Sequence, residues 1–286
     1  MTLTDLEIKI FNHKIDLFEL IEIAKNQNIR LQPFLEKNTT ITEACVIYLY
    51  LLTGFNYLNL IDTVNDDYIY NLVRISTTNF DIFKFCEHVF NRHQIMQIAL
   101  GLMNEVDVDI YNNDTFDSRQ MEQIRLGLED NLNVKIYANP KLDFNQMERL
   151  RIALICGVDC TEFATPEYTT MQMEAYRCAA IEGLNFKGRY TPKLSYSDIN
   201  RIIDCWKFEK VDLTEYIEWI VEDETILNLL YECAAFNVDV NMFATNFLHK
   251  GYSETYLKYV VTTLIQGLLP LKNSTWIQNQ VPNHIN

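Results

Sequence analysis

The sequence predicts an all-α protein: an α-solenoid of about ten repeats of ~26 residues, each a long helix plus a short helix. Three observations carry this. Residue types that cap helix N-termini recur every 26 positions, at Asn91, Asp117, Asp143, Thr169 and Ser195. Three residues after them come Gln94, Gln120, Gln146, Gln172 and Asp198, and seven further on the small residues Gly101, Gly127, Ala153, Ala179 and Cys205. Glycine (8) and proline (6) are scarce among 286 residues, which disfavours the many turns of an all-β fold.

The long helix starts at the cap. Asp117 can accept the free amides of the first turn, and Gln120 can return a bond to the cap amide, the capping-box arrangement. Phe116 and Met121 flank the cap as a hydrophobic staple, repeated as Phe90/Ile95, Leu142/Met147, Tyr168/Met173 and Leu194/Ile199. A helix of about 14 residues should follow, with Met121, Ile124 and Leu128 on one face. Met147, Leu150, Leu154, then Met173, Tyr176, Ala180, then Ile199, Ile202, Trp206 repeat that face. Glycine inside a helix costs about 1 kcal/mol against alanine, so the small column implies close approach between neighbouring backbones.

A short motif comes next: Val106-Asp-Val-Asp-Ile-Tyr111, Leu132-Asn-Val-Lys-Ile-Tyr137 and Val158-Asp-Cys-Thr-Glu-Phe163, then Val211 to Tyr216 and Val238 to Phe243. Its Asp or Asn can cap a one- to two-turn helix, which Ala138-Asn-Pro140 and Ala164-Thr-Pro166 end. The aromatic column at 111, 137, 163, 216 and 243 reads as core packing rather than a base-stacking code. Upstream, Asn65, Thr40 and Asn12 are further helix starts. Downstream the spacing slips to 27 near Gly188, and Asp223 and Ser253 begin the last two helices. The whole chain, 1–286, reads as a single array, with divergent repeats at 1–90, regular ones at 91–216, and divergent repeats and a cap at 217–286. The terminal NSTWIQNQVPNHIN loses the pattern.

The run from Gln120 to Glu129, with Asn133 to Pro140 and Gln146 to Arg151, resembles the QMxxIRxGL…VxxYAxP helical repeat of proteins from low-GC Gram-positive bacteria and their phages and mobile elements. The resemblance is strong over 91–192. It departs at Ile203, where Arg is expected, and at Gly188, where the spacing breaks. It implies a repeat scaffold and brings no catalytic residues.

The net charge is −15, spread without an acidic tail or a basic block, so direct nucleic-acid binding is not expected. Seven cysteines (Cys45, Cys86, Cys156, Cys160, Cys178, Cys205, Cys233), an odd number without CxxC, suggest reduced core thiols in a cytoplasm. That would be a bacterial host's cytoplasm if the chain is phage-encoded. MTLTDLEIKIFNHK lacks a signal-peptide pattern, and no apolar stretch reaches the length of a membrane span, so no membrane association is expected.

Arg125, Arg151 and Arg177 form one column and Glu122, Glu148 and Glu174 another, three residues earlier. They are the candidate partner-binding strip. The competing reading is a ladder of Glu–Arg pairs, each worth about 0.2–0.5 kcal/mol. Cys156 and Cys160 lack a local histidine. His13, His88, His93, His249 and His284 are scattered, although His88 and His93 lie near Cys86. No metal site, cofactor or nucleophilic cysteine is expected. The acidic Glu222-Asp223-Glu224 suits a helix start without a metal. These readings favour a non-enzymatic protein-binding scaffold, adaptor or inhibitor, with a protein partner such as a host defence or regulatory complex. The alternatives are an acidic nucleic-acid mimic blocking a DNA- or RNA-binding protein, and an enzyme of unknown class.

Overall fold

The computed structural model describes residues 15–54, 66–77 and 90–267, and these hold twelve α-helices and no strand. Backbone proximity divides the chain into two compact units, Met1–Arg151 and Ile152–Asn286.

The first unit contains α1 (Leu17–Asn26), α2 (Ile41–Thr53), α3 (Asp66–Ile75), α4 (Arg92–Met103) and α5 (Ser118–Glu129), each packed on the next through α5 where the intervening residues are described. The boundary falls inside α6 (Phe144–Ile155). The second unit contains α7 (Thr170–Ile181), α8 (Tyr196–Asp204), α9 (Ile217–Glu222), α10 (Glu224–Ala235), α11 (Val240–Phe247) and α12 (Glu254–Ile265). Here α7 packs on α8, and α10 on α9, α11 and α12.

The helix starts follow the capping chemistry. Asn91, Asp117 and Thr169 each form a complete capping box with Gln94, Gln120 and Gln172. Asp143 and Gln146 exchange the same two bonds at 2.9 Å. Thr40 does so with Glu43, while Ser195, Asp223 and Ser253 cap without the return bond. Asp16, absent from the expected starts, caps α1. All ten staple residues from Phe90 to Ile199 are buried. The helices are 12 residues long from α4 to α7, shorter than expected. The third residue of each predicted face (Leu128, Leu154, Ala180, Trp206) is only half-buried.

The small column has a different cause from the expected one. A Cβ added at Gly127 would overlap the Tyr137 hydroxyl and stand 2.8 Å from Val134 Cγ1, and Gly101 has the same relation to Tyr111 and Val108. The glycine therefore admits a tyrosine from its own repeat, not a neighbouring helix backbone. The carbonyl of the small residue also accepts the amide five residues on, in Leu132 N–H to Gly127 O (2.8 Å) and Val158 N–H to Ala153 O (2.9 Å). This closes the helix through a left-handed residue, Asn131 (φ 56) or Gly157 (φ 73), which is the Schellman stop.

The short helices are single 3-10 turns, Val108–Ile110, Val134–Ile136, Thr161–Phe163 and Thr214–Tyr216; the last of these runs directly into α9, and the final copy is itself an α-helix, α11. Asp107 and Asp239 cap theirs, Asp159 and Asp212 accept the first amide of the turn from one residue ahead of its N-cap, and Asn133 makes no side-chain cap bond. The caps keep their 26-residue spacing across Gly188 (φ 74), from Thr169 to Ser195, so the slip expected there falls later, in a π turn, Cys205–Glu209, that extends α8. The expected starts at Asn12 and Asn65, with Cys86, His13, His88, His284 and the terminal NSTWIQNQVPNHIN, lie outside the described residues.

Candidate functional site

The polar residues of the repeat converge at its joints. Gln120 is 6% exposed and uses both ends of its amide. Its Oε1 accepts the Asp117 amide at 2.7 Å, and its Nε2 donates to the carbonyls of Leu142 (2.6 Å) and Pro140 (3.2 Å), just ahead of the next helix. Gln172 does the same to Leu194 (2.5 Å) and Pro192 (2.9 Å), and Gln94 reaches Phe116 O at 2.8 Å. Sequence spacing assigned these glutamines only to the capping box. The return bond to their own cap is legible in a sequence. The bond 22 residues onward is not.

The arginine column faces inward. Arg125 has no solvent exposure; its Nε donates to Gln97 Oε1 (2.9 Å) and its Nη1 pairs with Glu129 (2.6 Å). Arg151 Nε repeats the first bond to Gln123 at 3.0 Å, and its Nη1 lies 3.5 Å from Asp130. Arg177 breaks the series. The residue 28 before it is Arg149, which cannot accept a bond, and Arg177 pairs instead with Glu174 on its own helix. That pair is the expected i,i+3 contact, and it raises the Arg177 pKa. Arg125 and Arg151 are turned toward acceptors on the preceding repeat rather than toward Glu122 and Glu148. These two glutamates are half-exposed.

The thiols divide into two groups. Cys45, Cys160, Cys205 and Cys233 are buried, as expected of core thiols; burial pushes Cys160 and Cys233 up to about 12 and Cys205 to about 11. Cys156 is exposed and Cys178 half-buried, so these two are not core residues. Their sulfurs lie 3.7 and 3.8 Å from Nη1 and Nη2 of Arg177. Among the described residues no three metal-capable side chains converge, and His93 is exposed.

The aromatic column is packed rather than displayed. Tyr111, Tyr137, Phe163 and Phe243 are fully buried, and Phe163, Tyr176, Phe186 and Tyr190 form a ring cluster with centroids 4.9 to 6.0 Å apart. Burial raises the Tyr176 hydroxyl, and Tyr190 to about 12. Asp223 caps α10 by accepting the Thr225 amide at 2.9 Å, so the acidic trio around it serves the helix start. Two open grooves, of about 600 and 550 Å³, lie beside the helix C-termini: one at Asn104, Asp107 and Glu129, the other at Cys156, Asp159 and Lys187. No helix of the described residues is long and apolar enough to cross a membrane. Comparison with protein-family models, curated proteins and solved structures found no match.

Proposed function

We propose that the chain is a non-enzymatic scaffold, an α-solenoid of about ten units, that binds a protein partner. The observation that carries this is the use of the buried polar groups: Gln94, Gln120, Gln172, Gln97, Gln123 and Arg125 all join one turn of chain to the next. Side chains committed in this way are not free for chemistry, and the variable exposed positions between them are left for recognition. The buried cysteines and tyrosines are held neutral by burial, which suits packing rather than nucleophilic attack. The half-exposed Glu122 and Glu148 belong to the surface a partner could read.

The resemblance of residues 91–192 to repeats of Gram-positive bacteria and their phages narrows the proposal to an adaptor or inhibitor, phage-encoded, that docks on a host defence or regulatory complex. The net charge of −15 supports a second reading, an acidic nucleic-acid mimic. Affinity purification of the tagged chain from its native host, with mass spectrometry, tests the scaffold. A stoichiometric protein partner is expected, and a chain that emerges alone at every salt concentration would sink it. If DNA or RNA displaces the partner and modest salt abolishes binding, the mimic is the better description. Deleting residues 117–142 tests the array: a soluble helical protein with a shifted melting point is expected, and loss of folding would count against it.

A further inference from the structure

Asp130, Cys156 and Glu182 lie 26 residues apart, and each is the first residue past a long helix: α5, α6 and α7. The helix dipole disfavours an anion at a C-terminus, so a carboxylate there calls for a cation beside it. Asp130 has Arg151, whose Nη1 is 3.5 Å from its Oδ2. Glu182 has Lys207 at 2.8 Å, in the repeat where the arginine column gives way to Ile203. Cys156 has Arg177. The same atom, Nη1, again from 21 residues on, stands 3.7 Å from its Sγ. Asn104 holds this position past α4, and there Arg125 Nη1 bonds Glu129 instead, at 2.6 Å. At Cys156 the cation keeps its place, and the group facing it is a thiol, a weak acceptor.

The rest of Arg177 is held by its own helix. Nε donates to Glu174 Oε2 at 3.1 Å, Nη2 bonds Glu174 Oε1, and Nη2 also lies 3.8 Å from Cys178 Sγ. Each sulfur thus meets a different nitrogen of one guanidinium. The two thiols differ in access. Cys156 is exposed and lines the open groove of about 550 Å³ with Asp159, Glu162 and Lys187. Cys178 is half-buried, and burial raises its thiol. Susceptibility to oxidation follows exposure and thiolate character, so a small water-borne oxidant meets Cys156 first.

We propose that Cys156 is an oxidative modification site, where a hydroperoxide converts the thiolate to a sulfinate that Arg177 holds. With hydrogen peroxide, the thiolate attacks one peroxide oxygen. The O–O bond breaks, an S–O bond forms, sulfur is oxidised by two electrons, and the products are sulfenic acid and hydroxide. The hydroxide takes the sulfenic proton, and the sulfenate attacks a second peroxide to give sulfinate and water. The sulfinate carries a full negative charge and two acceptor oxygens, so it offers Arg177 what Asp130 offers Arg151. Cys156 is here the substrate of oxidation and not a catalytic nucleophile. The site does not depend on what the scaffold binds.

The test treats the full chain with hydrogen peroxide. Peptide mapping by mass spectrometry should find two added oxygens on Cys156 before any change at Cys178 or the buried thiols. Dimedone in a parallel sample should trap the sulfenic acid. R177Q should slow sulfinate formation about fivefold or more, the effect of a unit charge lost at about 4 Å in a well-hydrated site, and R177K should restore much of the rate. C156D places a carboxylate at the site without oxidation. It should lower the melting point by about 1–3 °C more in R177Q than in the otherwise native chain, because the anion then lacks its cation. Equal oxidation rates in wild type and R177Q overturn the proposal, as do equal shifts from C156D in the two backgrounds. A Cys156–Cys178 disulfide in place of the sulfinate also overturns it, since the second thiol and not the guanidinium would then be the partner of Cys156.

Discussion

The hydroxyl of Tyr137 fills the place where a side chain at Gly127 would begin, and donates its proton to the Gln123 carbonyl 3.0 Å away. Tyr111 and Gly101 repeat the arrangement, with a bond of 3.1 Å to Gln97 O. In the following repeat three positions change together: Gly127, Val134 and Tyr137 become Ala153, Cys160 and Phe163. A ring without a hydroxyl and a smaller side chain leave room for one methyl group.

Gly127→Ala should therefore destabilise the protein by about 1–3 kcal/mol through overpacking. Adding Val134→Cys and Tyr137→Phe should recover much of that loss, although Tyr137→Phe alone costs about 1 kcal/mol of hydrogen bonding. Urea denaturation of the single, double and triple variants measures the coupling. Additive losses would show that the three positions are independent.

The glutamine at a joint should matter more than the cap beside it. Asp143→Ala removes a cap whose oxygen accepts Gln146 N at 2.9 Å, for about 1 kcal/mol. Gln120→Leu leaves the Asp117 amide and the Leu142 carbonyl without their side-chain partner, with an expected loss of about 2–4 kcal/mol. Comparable midpoints for the two variants would reduce Gln120 to an ordinary capping residue.

The arginine column should be graded by burial. Arg125→Met strips Gln97 of its partner and leaves the largely buried Glu129 with the Asn104 amide alone, and about 3 kcal/mol or more is expected. Arg177→Met breaks a partly exposed pair, for about 1 kcal/mol or less. Thermal melts in low and high salt should show salt dependence at Arg177 and little at Arg125.

Alkaline pH should unfold the chain. The folded pKa values of Cys160, Cys205 and Cys233 are raised from 9.0 and those of Tyr111, Tyr176 and Tyr190 from 10.0, all first by burial. The fold favours the protonated form, so the stabilisation is fully present below those unfolded values. It is lost as pH rises through 9 and 10 toward the folded values, by up to about 1.4 kcal/mol per group per pH unit. On the acid side Asp159 is lowered by its bonds to Thr161, so its contribution is present above 3.8 and lost as pH falls. That limb should be shallow, since the carboxylate is exposed. Denaturant midpoints from pH 3 to 11 test both limbs, and Tyr176→Phe should flatten the alkaline one.

Thiol labelling should rank the cysteines. Cys156 is exposed and should react first with a maleimide, Cys178 more slowly, and Cys45, Cys160, Cys205 and Cys233 only on unfolding. Peptide mapping by mass spectrometry at timed intervals gives the order; early labelling of Cys160 would contradict its burial.

Local chemistry made the helix starts readable. A cap and its Gln stand three residues apart, so Asp117 and Gln120 announce the helix without knowledge of the rest of the chain. The helix stops were less legible, because the left-handed position carries Glu105, Asn131 and Gly157 in turn, and only glycine signals that conformation by itself. The column of arginines was visible, but its direction was not. Arg125 turns toward Gln97, 28 residues earlier, and such a bond leaves no mark in local spacing. The π turn at Cys205–Glu209 shifts the register by one residue, and a fixed 26-residue ruler carries no sign of it.

Gln120 and Gln172 hold the next stretch of chain by its carbonyls, at Pro140, Leu142, Pro192 and Leu194, and not by any side chain. Every residue type offers a carbonyl. Substitutions in the receiving stretch therefore cannot delete the acceptor, and selection on that bond falls on the glutamine alone. Adjoining units can diverge in sequence while their joint persists, so the repeat should stay recognisable by its donors long after its acceptors have drifted.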